Sequence, residues 1–161
     1  MRELVIAGQV INDESEAFVV AELGSNHQGS VGICEEMIKA AHLAGVSAVK
    51  LQKRDMATWA ARNPELWESH YNSEHSFGAT YGQHRAALEF GWSEYLRLKV
   101  CAEDLGLAFF ATAFDVPSVE FLQELGVPAI KIASGSITDR DLLRSAGSIG
   151  LPLVVLEATS V

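Results

Sequence analysis

Apolar residues along this chain gather into short unbroken runs, and four of those runs share one pattern: AGVSAVKLQ (44–52), LGLAFFATAF (105–114), LGVPAIKIAS (125–134) and IGLPLVVLEA (149–158). Each opens with a glycine, continues through one apolar and one small residue or proline, and enters a β-prone stretch. A glycine supplies the left-handed turn just past a helix, and a continuous apolar run suits a strand buried on both faces. Helical spacing precedes each glycine. Val31, Cys34, Met37, Ile38 and Ala41 form one stripe over residues 31–44, with Ser30 as N-cap. Ser93 precedes a second helical stretch, Asp115 a third, and Thr138, followed three residues later by Asp141, opens a fourth in a capping-box-like arrangement.

The pattern therefore predicts strands at 18–23, 47–52, 107–112, 128–133 and 152–157 alternating with helices. Strict alternation with apolar strands implies an α/β protein with a parallel sheet. LVIAGQVI, within residues 1–16, is expected to form a small hairpin, and residues 53–92 are a long insertion after the second strand. That insertion is rich in aromatic and polar residues, and a lid and a disordered excursion are both open readings of it. A (β/α) barrel needs eight such units and about 250 residues. Five strands leave two architectures open, a flavodoxin-like open sheet and the front part of a barrel, and either leaves apolar edges that call for a partner, a second copy or further sequence.

Composition narrows the function classes. The chain has 161 residues, 48% hydrophobic and 20% charged, with a formal net charge of −9, which suits one globular domain spanning 1–161. An acidic chain with no run of Lys and Arg argues against nucleic acid or a membrane surface as partner. Cys34 and Cys101 form neither a CxxC pair nor a disulfide framework, and no segment reads as a membrane span or signal peptide, so a cytoplasmic location is expected.

Ligands of parallel α/β proteins sit at the carboxyl ends of the strands. The polar residues there are Glu22, Lys50, Gln52, Thr112, Lys131, Ser134, Glu157 and Thr159. Lys50 and Gln52, two apart, face the same side. Lys50 and Lys131 hold matching places in AVKLQ and AIKIA, where two ammonium groups brought close together want an anion between them, so a small substrate carrying phosphate or carboxylate fits. A plain ion pair between Glu22 and Lys50 is the competing reading. Asn26 and His27, in the loop after Glu22, are expected to be exposed, with substrate contact and helix capping both open for His27. His42, His70, His75 and His84 show no metal-ligand spacing. Trp59, Trp67 and Tyr71 are expected to cover the sheet.

Five stretches carry a family likeness: VVAELGSNHQG (19–29), GVSAVKLQK (45–53), TYGQHR (80–85), FFATAFD (109–115) and LGVPAIKIASGSITDRDLL (125–143). Together they resemble the N-terminal part of the sialic acid synthase family. The resemblance implies a partial (β/α)8 TIM barrel of about five βα units, truncated after the fifth strand. It also implies a carbon–carbon bond-forming transferase that condenses phosphoenolpyruvate with an N-acyl hexosamine such as N-acetylmannosamine. On that likeness Glu22 lies at the reacting centre, Lys50, Thr112, Lys131 and Ser134 hold phosphoenolpyruvate, Gln52 supports them, and Asn26, His27, Tyr81 and Arg85 lie near the sugar or shape the lid. A divalent metal, Mn or Mg, would be held by two histidines on later strands outside this chain, and the assembly would be a homodimer. Ser136 stands where members usually carry an acidic residue, and Leu156 where a phosphate-contacting serine is usual. A catalytically silent half-barrel and a sugar-acid synthase using a phosphorylated sugar are the alternative functions.

Overall fold

The computed structural model describes residues 3–155. Five parallel strands, β3 (Val20–Gly24), β4 (Ala48–Lys53), β5 (Ala108–Ala113), β6 (Ile130–Ile132) and β7 (Leu153–Val155), lie side by side in chain order. Ahead of them β1 (Glu3–Ile6) and β2 (Gln9–Asn12) pair antiparallel as a separate ribbon. Its turn is Ala7-Gly8, both with positive φ, and Ile6 buries its side chain in the core.

Each of the last four strands is led in by one of the repeats, and their sequential order is that of a barrel, not of a flavodoxin-like sheet. In all four the glycine has positive φ, +76 at Gly45, +75 at Gly106, +73 at Gly126 and +72 at Gly150, a conformation that a Cβ would strain. Each glycine ends a helix and aims the chain into the next strand. The outer helices are α1 (Val31–Leu43), α5 (Trp92–Asp104), α6 (Val116–Leu125) and α7 (Arg140–Ser148). Ser30 and Asp115 cap α1 and α6 as expected, accepting from Ile33 N and Ser118 N. Two starts differ. Asp139, not Thr138, caps α7 by accepting from Leu142 N, and α5 begins at Trp92, where Glu94 accepts from the Gly91 N–H at 3.0 Å. In both cases a carboxylate wins the free N–H groups over a nearby hydroxyl.

All six residues of β5 are buried. Cys34 and Ile38 of α1, Tyr95 and Leu98 of α5, Val119 and Leu122 of α6, and Leu142 of α7 close over the outer face of the sheet. The Tyr95 hydroxyl donates to the Gln52 carbonyl at 2.8 Å, tying α5 to the end of β4.

The sheet is curled. Lys131 of β6 donates to Glu22 of β3 at 3.0 Å, although β4 and β5 lie between those strands. In a flat sheet three strand spacings of about 4.8 Å would hold β3 and β6 about 14 Å apart, with both side chains standing perpendicular to the surface. Contact requires a concave inner face, the curvature of a partial TIM barrel.

The insertion is ordered as helices. It contains α2 (Met56–Arg62), α3 (Pro64–Glu68) and α4 (Tyr81–Leu88). Asp55 caps α2, and Thr80 with Gln83 makes a capping box at α4. Trp59 packs 5.9 Å from Trp67 and 5.6 Å from Tyr81 between ring centroids, and Tyr71 5.3 Å from Tyr81. These rings form the insertion's own small core. Among the described residues no helix is long and apolar enough to cross a membrane.

Candidate active site

Pairing register places the charged residues in one row on the concave face. Glu22 pairs with Lys50, and Gln52 with Thr112, which in turn pairs with Lys131. Register partners share a face, so all five side chains point inward. The structure brings four of them into contact. Lys50 Nζ donates to Thr112 Oγ1 at 2.8 Å and lies 3.4 Å from Glu22 Oε2, while Lys131 Nζ donates to Glu22 Oε1 at 3.0 Å. One carboxylate thus bridges two ammonium groups. The anion that the matched lysines demand is, in this state, the protein's own.

Exposure is uneven across the cluster. The Lys50 side chain is 1% exposed and that of Lys131 11%, whereas Glu22 is 52% exposed. Burial draws the Lys50 ammonium below its ordinary value against the pull of Glu22, and the like charge of Lys131 adds to the effect. Partial burial pushes the Glu22 carboxyl upward, but the hydrogen bond from Lys131 and the charges of both lysines outweigh it and hold the group below the usual range. Two cations behind a half-exposed carboxylate make a cradle for an incoming oxyanion.

The remaining expected residues surround this cluster. Ser134 sits on a 3-10 turn, Ser134–Ser136, immediately past β6. Asn26 is exposed. His27 is not exposed as the sequence suggests: it is 4% exposed, stacks on Phe90 with centroids 4.2 Å apart, and its Nδ1 accepts from the Gly29 N–H at 3.1 Å. Burial lowers its pKa, so the ring is a neutral strut of the loop. Tyr81 belongs to the aromatic cluster of the insertion. Arg85 lies on α4, and its Nη2 is buried with no partner among the described residues. Glu157, Thr159 and Leu156 fall outside the described residues.

Two residues that sequence reasoning missed join the site. Arg54 donates to Gln52 Oε1 at 3.0 Å, and Glu89 stands 3.8 Å from the Arg54 guanidinium and 3.7 Å from Lys53 Nζ. The signal for Arg54 was its period-two spacing from Lys50 and Gln52. It was missed because the strand was ended at residue 52, one short of its observed end at Lys53.

Past the ends of β5 and β6, Thr58, Trp59, Arg62 and Asn63 of the insertion face Ser136 and Asp139 across a cavity of about 380 Å³ that none of the clustered side chains lines. Arg62 and Asp139 pair across it at 2.9 Å. Among the described residues no group of three or more His, Cys, Asp or Glu side chains could hold a metal ion.

Comparison with known proteins agrees with this architecture. The NeuB family model matches residues 37–158. The N-acetylneuraminate-9-phosphate synthase of Drosophila melanogaster is 39% identical over 151 residues, covering 94% of this chain and 39% of that protein. The N,N'-diacetyllegionaminic acid synthase of Legionella pneumophila is 35% identical over 138 residues, covering 86% of this chain and 38% of that one. In three dimensions the chain superposes with a TM-score of 0.81 and 30% identity on the N-acetylneuraminic acid synthetase of Leptospira borgpetersenii, solved in complex with citrate, covering 99% of this chain and 51% of the other. The chain spans about two fifths of the length of the curated relatives it matches.

Proposed function

The chain belongs to the NeuB family, and from that membership we propose that it supplies the phosphoenolpyruvate half of a nonulosonic acid synthase, a carbon–carbon bond-forming enzyme. The observation that carries the reading is the bridge of Glu22 between Lys50 and Lys131, with Thr112 beneath it. Phosphoenolpyruvate brings a phosphate and a carboxylate, the two oxyanions that a pair of buried lysines and a hydroxyl serve. On binding, the ligand's oxyanions take the places now held by Glu22, whose carboxylate is released beside the reacting carbon. Ser134, just past the strand that carries Lys131, adds a hydroxyl to the cradle.

In the reaction, C3 of phosphoenolpyruvate attacks the open-chain aldehyde of an N-acyl hexosamine, water adds at C2, and phosphate leaves from the resulting tetrahedral carbon. The lysines hold the phosphate and stabilise its charge as it departs, and Glu22 is placed to move a proton at the reacting centre. No metal ligand set is found among the described residues, and no step here is assigned to a metal.

The second substrate has two candidates. Joining three carbons to a six-carbon sugar turns the sugar's C6 into C9 of the product. The 9-phosphate synthases of fly, mouse and human are 39%, 35% and 36% identical to this chain. Their 9-phosphate product favours a hexosamine 6-phosphate, while the Legionella relative favours an unphosphorylated sugar. A panel of both with the full-length protein separates them.

The site assignment is tested by calorimetric titration of phosphoenolpyruvate into the full-length protein and into Lys50→Ala and Lys131→Ala. Binding is expected to fall at least tenfold in each variant. Unchanged affinity in both would remove the lysines from the site.

A further inference from the structure

Lys50, Gln52 and Arg54 follow one another at a spacing of two along and just past β4, so the third side chain stands at the rim of the same concave face. Arg54 is held by two residues, Phe114 and Glu89. Its guanidinium carbon lies 3.6 Å from the Phe114 ring centroid, its Nη1 is 3.8 Å from Glu89 Oε1, and its backbone N–H donates to Glu89 Oε2 at 3.3 Å. The side chains of Arg54 and Glu89 are only 13% and 10% exposed. Glu89 directly follows α4, so the grip on Arg54 comes from the returning end of the insertion.

This held guanidinium dictates which way the Gln52 amide faces. An arginine side chain has donors and no acceptor, so the amide atom 3.0 Å from Nη1 is the oxygen. The NH2 group must then face away from Arg54. It does: a Cβ built on Gly24, at the end of β3, would lie 3.9 Å from Gln52 Nε2. No described residue accepts from that nitrogen, and Gln52 pairs in register with Thr112, itself opposite Lys131.

Resting on the functional reading above, we propose that Arg54 is a positioning residue that locks Gln52 as a hydrogen-bond donor to an oxygen of phosphoenolpyruvate. Gln52 thereby extends the row of Lys50, Thr112 and Lys131 with a neutral donor whose direction is set from behind. With Arg54 absent, the amide turns freely, presents its oxygen to the ligand half the time, and repels the oxyanion it should bind. Arg54 bears on the site through Gln52, and the returning end of the insertion bears on it through Arg54.

The test is a double-mutant cycle in the full-length protein, read as the phosphoenolpyruvate dissociation constant by calorimetry. Gln52→Leu is expected to weaken binding roughly tenfold, the loss of one hydrogen bond to a charged group, and Arg54→Leu, which leaves the amide correctly turned half the time, about twofold. The double variant is expected to lose only what Gln52→Leu loses and not the product of the two, because without the amide Arg54 has nothing to orient. Multiplying losses, or an unaffected Arg54→Leu, would overturn the proposal. Arg54→Met, an unbranched side chain long enough to cover part of the Phe114 ring now under the guanidinium, replaces Arg54→Leu should that variant fail to fold. A second readout needs no ligand: the side-chain NH2 resonances of Gln52, identified by their loss in Gln52→Leu, should shift in the Arg54 variant. Unchanged resonances would sink the positioning role. Wild-type protein that binds no phosphoenolpyruvate would sink the functional reading, with the amide resonances still deciding whether Arg54 orients Gln52.

Discussion

Thr112 gives the buried Lys50 ammonium its shortest hydrogen bond, 2.8 Å, and is itself 2% exposed. Thr112→Val keeps the shape and removes the oxygen, leaving Lys50 with contacts of 3.4 Å to Glu22 and to the Leu51 carbonyl. A lost hydrogen bond to a buried charge costs about 1.5–3 kcal/mol, which urea denaturation would read as a lower midpoint at unchanged slope. Glu22 carries a pH signature. Its folded pKa lies below the ordinary 4.5, so between those two values the unfolded chain binds more protons than the folded one, and stability falls as the pH falls. Glu22→Gln lacks that slope. Stability measured from pH 7 downward should show the variant less stable at neutral pH, with the gap closing as the pH passes below 4.5 toward the lowered value. A constant gap would mean that the lysines do not hold the carboxylate. The lysines themselves were legible in the sequence, because matching places in two repeats put them at matching heights on the sheet. The burial of His27 was not, since only the fold brings Phe90 under the loop.

Among the elements, the insertion depends on two close fits. A Cβ at Gly82 would come within 2.3–2.8 Å of the Trp67 indole, so α4 packs on α3 only because that position has no side chain. Gly82→Ala should undock these helices and open residues 56–88 to limited proteolysis, while the parallel sheet keeps its own unfolding midpoint. Asp115 is the second tie. Buried at 3% exposure, it caps α6 through Ser118 N at 2.8 Å and also accepts from the Asp55 N–H at 2.9 Å, fastening the start of the insertion to the end of β5. Asp115→Ala removes a cap and strands a buried donor, a loss of about 2–4 kcal/mol in urea denaturation. The sequence announced Asp115 as a cap, but its second bond spans 60 residues and leaves no local trace. The helices of the insertion were hidden for a related reason. They are short, none of α2 or α3 has a fully buried residue, and their aromatic contacts join residues with no regular spacing.

Across the whole molecule, burial predicts a gradient of stability. Every residue of β5 is buried, whereas three of the four in β1 are exposed. Native-state hydrogen exchange should find the slowest amides in β4 and β5 and the fastest in the β1–β2 ribbon. Equal protection would contradict the burial pattern. Parallel strands were legible because every glycine-led repeat ends a helix and opens a strand, whereas their sequential order stood open between a flavodoxin-like sheet and a barrel. Curvature was not, because nothing in a strand's own residues states how far its sheet bends; it shows only in the contact of Glu22 with Lys131. Those two residues are 109 apart in the chain, and Lys50 and Thr112 are 62 apart. Joining distant residues costs loop-closure entropy before any contact repays it. The charged cluster is therefore expected to form late in folding. Rapid dilution from denaturant should restore the far-UV circular dichroism in a faster phase than phosphoenolpyruvate affinity, with a delay during which the chain has its backbone but no working cradle. Coincident phases would mean that the lysines and Glu22 meet as the sheet forms, and that their charges help to bend it.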